Sequence, residues 1–175
     1  MKKRLESLIL PRLEKELKEK TLWWKGQWWA SSRFLALVDS CEKNLAQGGF
    51  GEGQRLVLLL PNCPLVLALS IAAWRLKGAV APLNLQSGPS ALVENMAVLD
   101  PWGVVLPQGM EQLGEAISAA GYPTVATGLD EPIPAFTGRI GEIDSQETAV
   151  VFSTSGTTGT PKAVVITHAN LIDNT

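Results

Sequence analysis

Between Ser153 and Thr160 six hydroxyl residues surround Gly156 and Gly159, and Pro161 and Lys162 follow at once. A stretch of that make-up is suited to gripping a polyphosphate. The glycines let the backbone adopt positive φ and approach a ligand closely, so that N–H groups can point at its oxygens. Thr154, Ser155, Thr157 and Thr158 add short hydroxyl donors, and Lys162 adds a compact positive charge. This is not a Walker loop, which needs Gly, four residues, then Gly-Lys-Ser/Thr and a helix. Here the lysine follows a proline and precedes Ala163-Val-Val-Ile166, a β-branched run that reads as strand. The chemistry is therefore expected at the tip of a strand-loop-strand hairpin, with a helix starting only at Thr167 or later. That argues against kinase and GTPase chemistry.

The only histidine, His168, has no acidic residue near it in sequence, and Thr167-His168 reads as the capped start of a helix rather than as a general base. Cys41 and Cys63 are 22 residues apart, with no CxxC pair and no histidine cluster, so neither zinc nor a disulfide framework is expected. Reduced thiols and a cytoplasmic setting follow as expectations. The start Met1-Lys-Lys-Arg4 runs into Glu6, Glu14, Glu16 and Glu19 without an apolar stretch, unlike a secretory signal.

The elements that must position the loop can be read from periodicity. Leu5, Leu8, Ile9, Leu13 and Leu17 recur at helical spacing, so residues 3–19 are expected to form an amphipathic helix despite Pro11. Thr21 to Trp29 places two aromatic runs around Lys25-Gly26, a hairpin signal, although four tryptophans so close could also form a membrane-interface or ligand platform. Ser31 or Ser32 is expected to cap a helix running to about Ala46, broken by Gly48-Gly49, Gly51 and Gly53. Arg55 to Leu60 then reads as a strand buried on both faces. Beyond it a rhythm sets in: helix 64–76, strand 79–82, helix 89–99, strand 103–106, helix 111–120, strand 123–126. Strands separated by helices of that size imply a three-layer α/β fold, a mostly parallel sheet flanked by helices. Residues 127–146, with Gly128, Pro132, Pro134, Gly138 and Gly141, read as a surface connection and the best internal boundary. Thr148 to Phe152 gives one more strand, directly before the loop.

Composition narrows the function classes. With 46% hydrophobic and 18% charged residues over 175 positions, the chain is neither disordered nor fibrous. A formal charge of −2 offers no basic field for nucleic acid, although the first twenty residues hold seven Lys or Arg against four Glu. Leu56 to Trp74 carries no charge over nineteen residues, but Pro61-Asn-Cys-Pro64 interrupts it, so a strand, a turn and a buried helix are expected instead of a membrane span.

At Thr154-Ser-Gly-Thr-Thr-Gly-x-Pro-Lys162 the sequence resembles the signature of the adenylate-forming superfamily, which holds acyl-CoA synthetases, nonribosomal adenylation domains and luciferases. Matching eight specified positions by chance is on the order of 10⁻¹⁰ per start site, given about 6% usage of each residue type. Trp74-Arg-Leu-Lys-Gly-Ala-Val-Ala-Pro-Leu-Asn84, Gly53-Gln-Arg-Leu-Val57 and Pro61-Asn62 are also similar to the family, so the resemblance covers about residue 21 to the end. One position departs: the family usually has glycine after the lysine, and this chain has Ala163. If that position needs positive φ, alanine costs about 1 to 2 kcal/mol; if it is already β, the cost is small.

The resemblance implies a two-step reaction. A carboxylate attacks the α-phosphorus of ATP and releases pyrophosphate, and a thiol then displaces AMP from the mixed anhydride. Thr154, Ser155, Gly156, Thr157, Thr158, Gly159 and Lys162 would grip the β and γ phosphates, with Mg²⁺ neutralising the remaining charge. None of these is an acid-base catalyst, and no catalytic or metal-ligating residue is expected in this segment. Implied partners are ATP, a carboxylic acid, and CoA or a carrier-protein thiol. In the family the acid pocket, a magnesium-binding glutamate and a catalytic lysine on a mobile C-terminal domain lie downstream of the loop. Residues 1–175 are therefore expected to be the N-terminal part of the AMP-binding domain, without the C-terminal domain and without ligase activity alone. Two alternatives stay open: a noncatalytic nucleotide-binding or interaction fragment, and a nonribosomal or carrier-loading adenylation domain.

Overall fold

The computed structural model describes residues 4–15, 19–155 and 161–173. In chain order these form helix α1 (Leu5–Lys15), strands β1 (Leu22–Trp24) and β2 (Gln27–Trp29), α2 (Ser31–Gln47), β3 (Arg55–Leu58), α3 (Pro64–Arg75), β4 (Ala79–Pro82), α4 (Pro89–Leu99), β5 (Gly103–Pro107), α5 (Glu111–Ala119), β6 (Thr124–Thr127), β7 (Thr148–Ser155), β8 (Pro161–Thr167) and α6 (His168–Asp173). β1 and β2 make a separate hairpin. The other strands form one sheet in the order β6-β5-β3-β4-β7-β8, parallel throughout except for the antiparallel edge strand β8.

Burial on both faces explains why the central strands read as continuous apolar runs. Leu56 and Leu58 point into a core shared with Phe34, Val38 and Cys41 of α2 and Leu65, Leu69 and Ala72 of α3. Val57 and Leu59 point the other way, toward Leu92, Met96 and Leu99 of α4 and Ile117 of α5. The strand order follows from crossover chirality: the chain steps from β3 to β4, then reverses past β3 to β5 and β6. Right-handed connections then put α3 on one face and α4 and α5 on the other, which is the arrangement found. No helix among the described residues is long and apolar enough to cross a membrane. The uncharged run from Leu56 to Trp74 is divided between β3, a turn and α3, as its prolines require.

The aromatic segment forms the expected hairpin. Lys25 and Gly26, both at positive φ (47° and 79°), make its two-residue turn, the geometry that matches strand twist. Its tryptophans divide: Trp29 is buried under Arg33, whose guanidinium lies 3.6 Å from the ring centroid, while Trp23 and Trp28 meet edge to face on the exposed side. The serine cap expected for α2 is absent. The N-cap residue is Ala30, without a side-chain cap bond, and Ser31 is already helical. Its hydroxyl lies 2.6 Å from that of Thr21, which joins the base of the hairpin to the helix start instead. Cys41 and Cys63 are free and buried, and desolvation pushes the Cys41 thiol up to about 12.

Residues 128–147 carry no helix or strand, yet they are fastened to the sheet. Arg55, at the start of β3, holds Asp144 through two bonds, Nε to Oδ2 at 2.5 Å and Nη2 to Oδ1 at 2.9 Å. Its third nitrogen donates to the Leu99 carbonyl at 2.7 Å. Ile133 is fully buried, Phe136 packs on Trp102 at 4.8 Å, and Arg139 pairs with Asp100. Gly138 lies flat against Trp102, where a Cβ would meet the indole at 2.2 Å, so only glycine allows that approach. Ile140 and Ile143 remain exposed on the outer side of the segment.

α1 is closed onto the sheet by a buried polar cluster. The expected helix over 3–19 is present over Leu5–Lys15; residues 3 and 16–18 lie outside the described residues, and Glu19 is not helical. His168, almost fully buried, accepts a hydrogen bond at Nδ1 from the Leu5 N–H at 3.1 Å, and its ring meets Trp74 edge to face at 5.5 Å. Arg4 pairs with Glu6 and donates to the carbonyls of Trp74 and Gln146. Thr167 and Asn170 exchange side-chain-to-backbone bonds across the start of α6, the capped start read from the sequence.

Removing one member of the Arg55–Asp144 pair strands a buried charge. Asp144→Ala is expected to cost about 3 to 5 kcal/mol in urea unfolding, and the double variant Arg55→Met/Asp144→Leu to recover most of it. A loss under about 1 kcal/mol would place the pair with solvent-screened surface bridges. A second expectation concerns acid. Burial, seconded by the Arg4 charge and opposed by Glu6, holds the His168 imidazole below its ordinary value of 6.5. The unfolded chain then takes up the proton first, so stability is intact above about pH 6.5 and declines as pH falls toward the lowered folded value. Urea midpoints measured from about pH 7.5 to about pH 5 should show this decline. A His168→Phe chain with an identical profile would assign the decline elsewhere.

Candidate functional site

The loop residues are carried by the β7–β8 hairpin. β7 enters the sheet through Ala149, Val150 and Val151, all buried, and pairs in parallel with β4 at Val80–Val150. β4 ends at Pro82, which this register brings level with Phe152, so Ser153–Ser155 run beyond the end of β4 with only β8 beside them. β8 begins with Pro161, a residue tolerated at the first position of an edge strand because it has no N–H to give. The antiparallel ladder pairs Thr154 with Lys162 and Ser155 with Pro161, so that 156–160 connect two strands that are still paired where they enter and leave the connection.

Directly opposed residues of an antiparallel pair share a face. Thr154 and Lys162 therefore lie side by side, next to Phe152 and Val164, while Ser153 and Ala163 share the opposite face. Thr154 and Lys162 are exposed, and the Thr154 hydroxyl reaches the Lys162 carbonyl only at 3.4 Å. Lys162 makes no ion pair among the described residues, so its ammonium is available to an anion. Ala163 is in strand conformation and is not among the residues with positive φ, so the milder of the two outcomes for its replacement of glycine applies. Of the residues expected to hold phosphate, Thr154 and Lys162 come together on one face and Ser155 lies at the end of β7. Gly156, Thr157, Thr158 and Gly159 lie outside the described residues.

Because the strands are parallel, the other motif segments gather on the same edge of the sheet. Pro61-Asn62 follows β3, and Leu83-Asn84 follows β4, with the Asn84 side chain accepting from the Gln86 N–H at 2.9 Å. Ligands of open α/β sheets bind at this carboxyl edge. His168 lies at the far end of β8, enclosed by Leu5, Glu6 and Trp74, which gives it a fastening role and no access to the hairpin tip. Among the described residues no group of three His, Cys, Asp or Glu could hold a metal ion.

Sequence reasoning missed two features. One is a groove of about 410 Å³ between the β1–β2 hairpin and the start of α3, lined by Trp23, Trp24, Cys63, Pro64 and Leu67 among others. Its two sides were each singled out in the sequence, the tryptophan run and Pro61-Asn62, but their meeting was not, since the elements lie far apart in the chain. The other is the bond from the Ser153 hydroxyl to the Asn95 side chain in α4.

Comparison with known proteins agrees with the hairpin and the sheet. A family model described as AMP-binding enzyme matches residues 13–175. The chain is 31% identical over 142 residues to the sulfoacetate–CoA ligase of Cupriavidus necator, covering 75% of this chain and 28% of that protein. It is 29% identical over 161 residues to the long-chain-fatty-acid–CoA ligase FadD13 of Mycobacterium tuberculosis, covering 78% and 29%. Among solved structures it resembles VinN with a TM-score of 0.76 at 22% identity over 95% of this chain and 44% of that one. ATP-bound MatB from Rhodopseudomonas palustris gives 0.68 at 22% identity over 85% and 31%. The chain thus spans under a third of the length of these two curated relatives. With a hairpin of this register at the carboxyl edge of a three-layer sheet, and a family match over nearly its whole length, the chain belongs to the AMP-binding enzyme family.

Proposed function

We propose that this chain supplies the phosphate-gripping part of an AMP-forming acid–thiol ligase, and that residues 1–175 are the N-terminal part of its AMP-binding domain. The observation that carries this reading is the cross-strand pair of Thr154 with Lys162, exposed, without an ion pair among the described residues, at the edge where parallel sheets take ligands. In the reaction, a carboxylate oxygen attacks the α-phosphorus of ATP and the bond to the β-phosphate oxygen breaks, giving acyl-AMP and pyrophosphate. A thiol sulfur then attacks the acyl carbon, loses its proton and expels AMP.

The first step leaves negative charge on the departing pyrophosphate, and stabilising that charge is electrostatic work by prearranged donors. Lys162 would meet the β and γ phosphates as a point charge, Thr154 and Ser155 would donate hydroxyl bonds, and backbone N–H groups at Gly156, Thr157, Thr158 and Gly159 would complete the grip. Mg²⁺ would screen charge on the same phosphates, and among the described residues no cluster of His, Cys, Asp or Glu would hold it. The CoA ligases among the relatives support CoA as the thiol over a carrier protein. A cytoplasmic setting is proposed with it, supported by two free cysteines.

Lys162→Ala in the complete ligase is expected to slow carboxylate-dependent exchange of pyrophosphate into ATP by about 10²-fold, the scale of one prearranged contact to developing charge. Exchange at the unaltered rate would remove Lys162 from the phosphate site, and this reading with it.

A further inference from the structure

We propose that Asn95 of α4 is a positioning residue for the phosphate-binding hairpin, acting through Ser153. The inference rests on the phosphate reading above for its purpose, and on separate geometry for its existence. Six hydroxyl residues crowd the segment from Ser153 to Thr160, and the first of them lies on the face of β7 opposite to Thr154. Ser153 lies on the same face of β7 as Val151, the face covered by α4 and α5, and its hydroxyl donates to the Asn95 Oδ1. The Asn95 amide nitrogen donates in turn to the Ala91 carbonyl one helical turn back, at 2.7 Å. That bond settles which end of the amide points at Ser153. Ser153 is therefore committed to α4 and withdrawn from the group of ligand donors.

The hairpin needs such a brace because of where it extends. Ser153–Ser155 and Pro161–Ala163 run past the end of β4 as a ribbon of two strands. A two-stranded ribbon is marginal in water by itself. Lys162, Ala163, Val164 and Val165 are all exposed, so packing does little to hold the outer strand. Among the described residues, Ser153 to Asn95 is the polar side-chain bond that ties this ribbon to another element. It acts one residue before Thr154, so the angle at which Thr154 and Lys162 meet a phosphate is set by a residue of α4 that touches no ligand.

The test uses the complete ligase and two readouts, amide hydrogen exchange along 152–155 and 162–164, and ATP affinity by calorimetric titration with Mg²⁺ present. Asn95→Ala and Ser153→Ala are each expected to speed exchange in the ribbon about fivefold, the effect of losing one ordinary hydrogen bond, with exchange in β3 and β5 unchanged. The double variant should do no more than either alone, because both remove the same bond. Ser153→Thr, which keeps the hydroxyl, should behave like the parent. ATP affinity should fall about threefold to fivefold in the two alanine variants and more in Lys162→Ala. Unchanged exchange in the ribbon, or additive effects in the double variant, overturns the brace. If Lys162→Ala weakens ATP while the Asn95 and Ser153 variants do not, the positioning role is overturned and the phosphate site stands. If Lys162→Ala leaves ATP affinity unaltered, the phosphate reading is what fails, and ribbon exchange alone decides the brace.

Discussion

A strand can return parallel to its predecessor only by a crossover through the other end of the sheet, and this constraint organises the molecule. Each crossover needs a helix, each helix must bury a face, and the sheet is thereby covered on both sides. The strands that result are apolar at every position, as Leu56 to Leu59 are, and they end together on one edge. That edge is where Asn62, Asn84 and Thr154 all lie, although 92 positions separate the first from the last. The departure from the rule is local: β8 runs antiparallel, and it does so because five residues between Ser155 and Pro161 suffice for a hairpin but not for a crossover.

The second organising element is the long segment between β6 and β7. A connection of that length would be costly to order without partners. Here it is pinned at intervals: Ile133 in the core, Phe136 and Gly138 on Trp102, Arg139 on Asp100, and Asp144 on Arg55. Arg55 is the first residue of the central strand, so the last turn of the segment is anchored where the sheet begins. β7, and with it the β7–β8 hairpin, is delivered to its place beside β4 by a buried ion pair at the opposite end of the sheet.

What was legible in the sequence follows the range of the forces involved. Strands buried on both sides and helices with one apolar face write their period into adjacent residues, and the elements from Arg55 to Thr127 were readable nearly to the residue for that reason. Lys25-Gly26 was readable because a two-residue turn with positive φ selects its residue types. The strand-loop-strand nature of the segment around Gly156 and Gly159 was readable because Pro161 and the β-branched residues after it forbid a helix. Partnerships across long separations were not: Asp144 is 89 residues from Arg55, and Leu5 is 163 from His168. Ser31 shows a different limit, since a serine before a helix has more than one neighbour to bond, and Thr21 is one of them. The order of the strands is likewise absent from any local pattern, because it depends on which face each crossover takes.

The two rims of the sheet are unlike. β6 offers a rim of four residues, too short to invite company, whereas β8 presents seven, with Val164 and Val165 bare on it and Phe152 bare on the neighbouring strand. Pro161 and Lys162 blunt only its first positions. Growth of the sheet, whether by more of the same polypeptide or by a neighbouring molecule, has a direction built into it: outward from β8, the outer strand of the β7–β8 hairpin. Whatever strand docks there would extend the sheet beside Lys162, so the order of that seam and the order of the hairpin's outer strand are one and the same property.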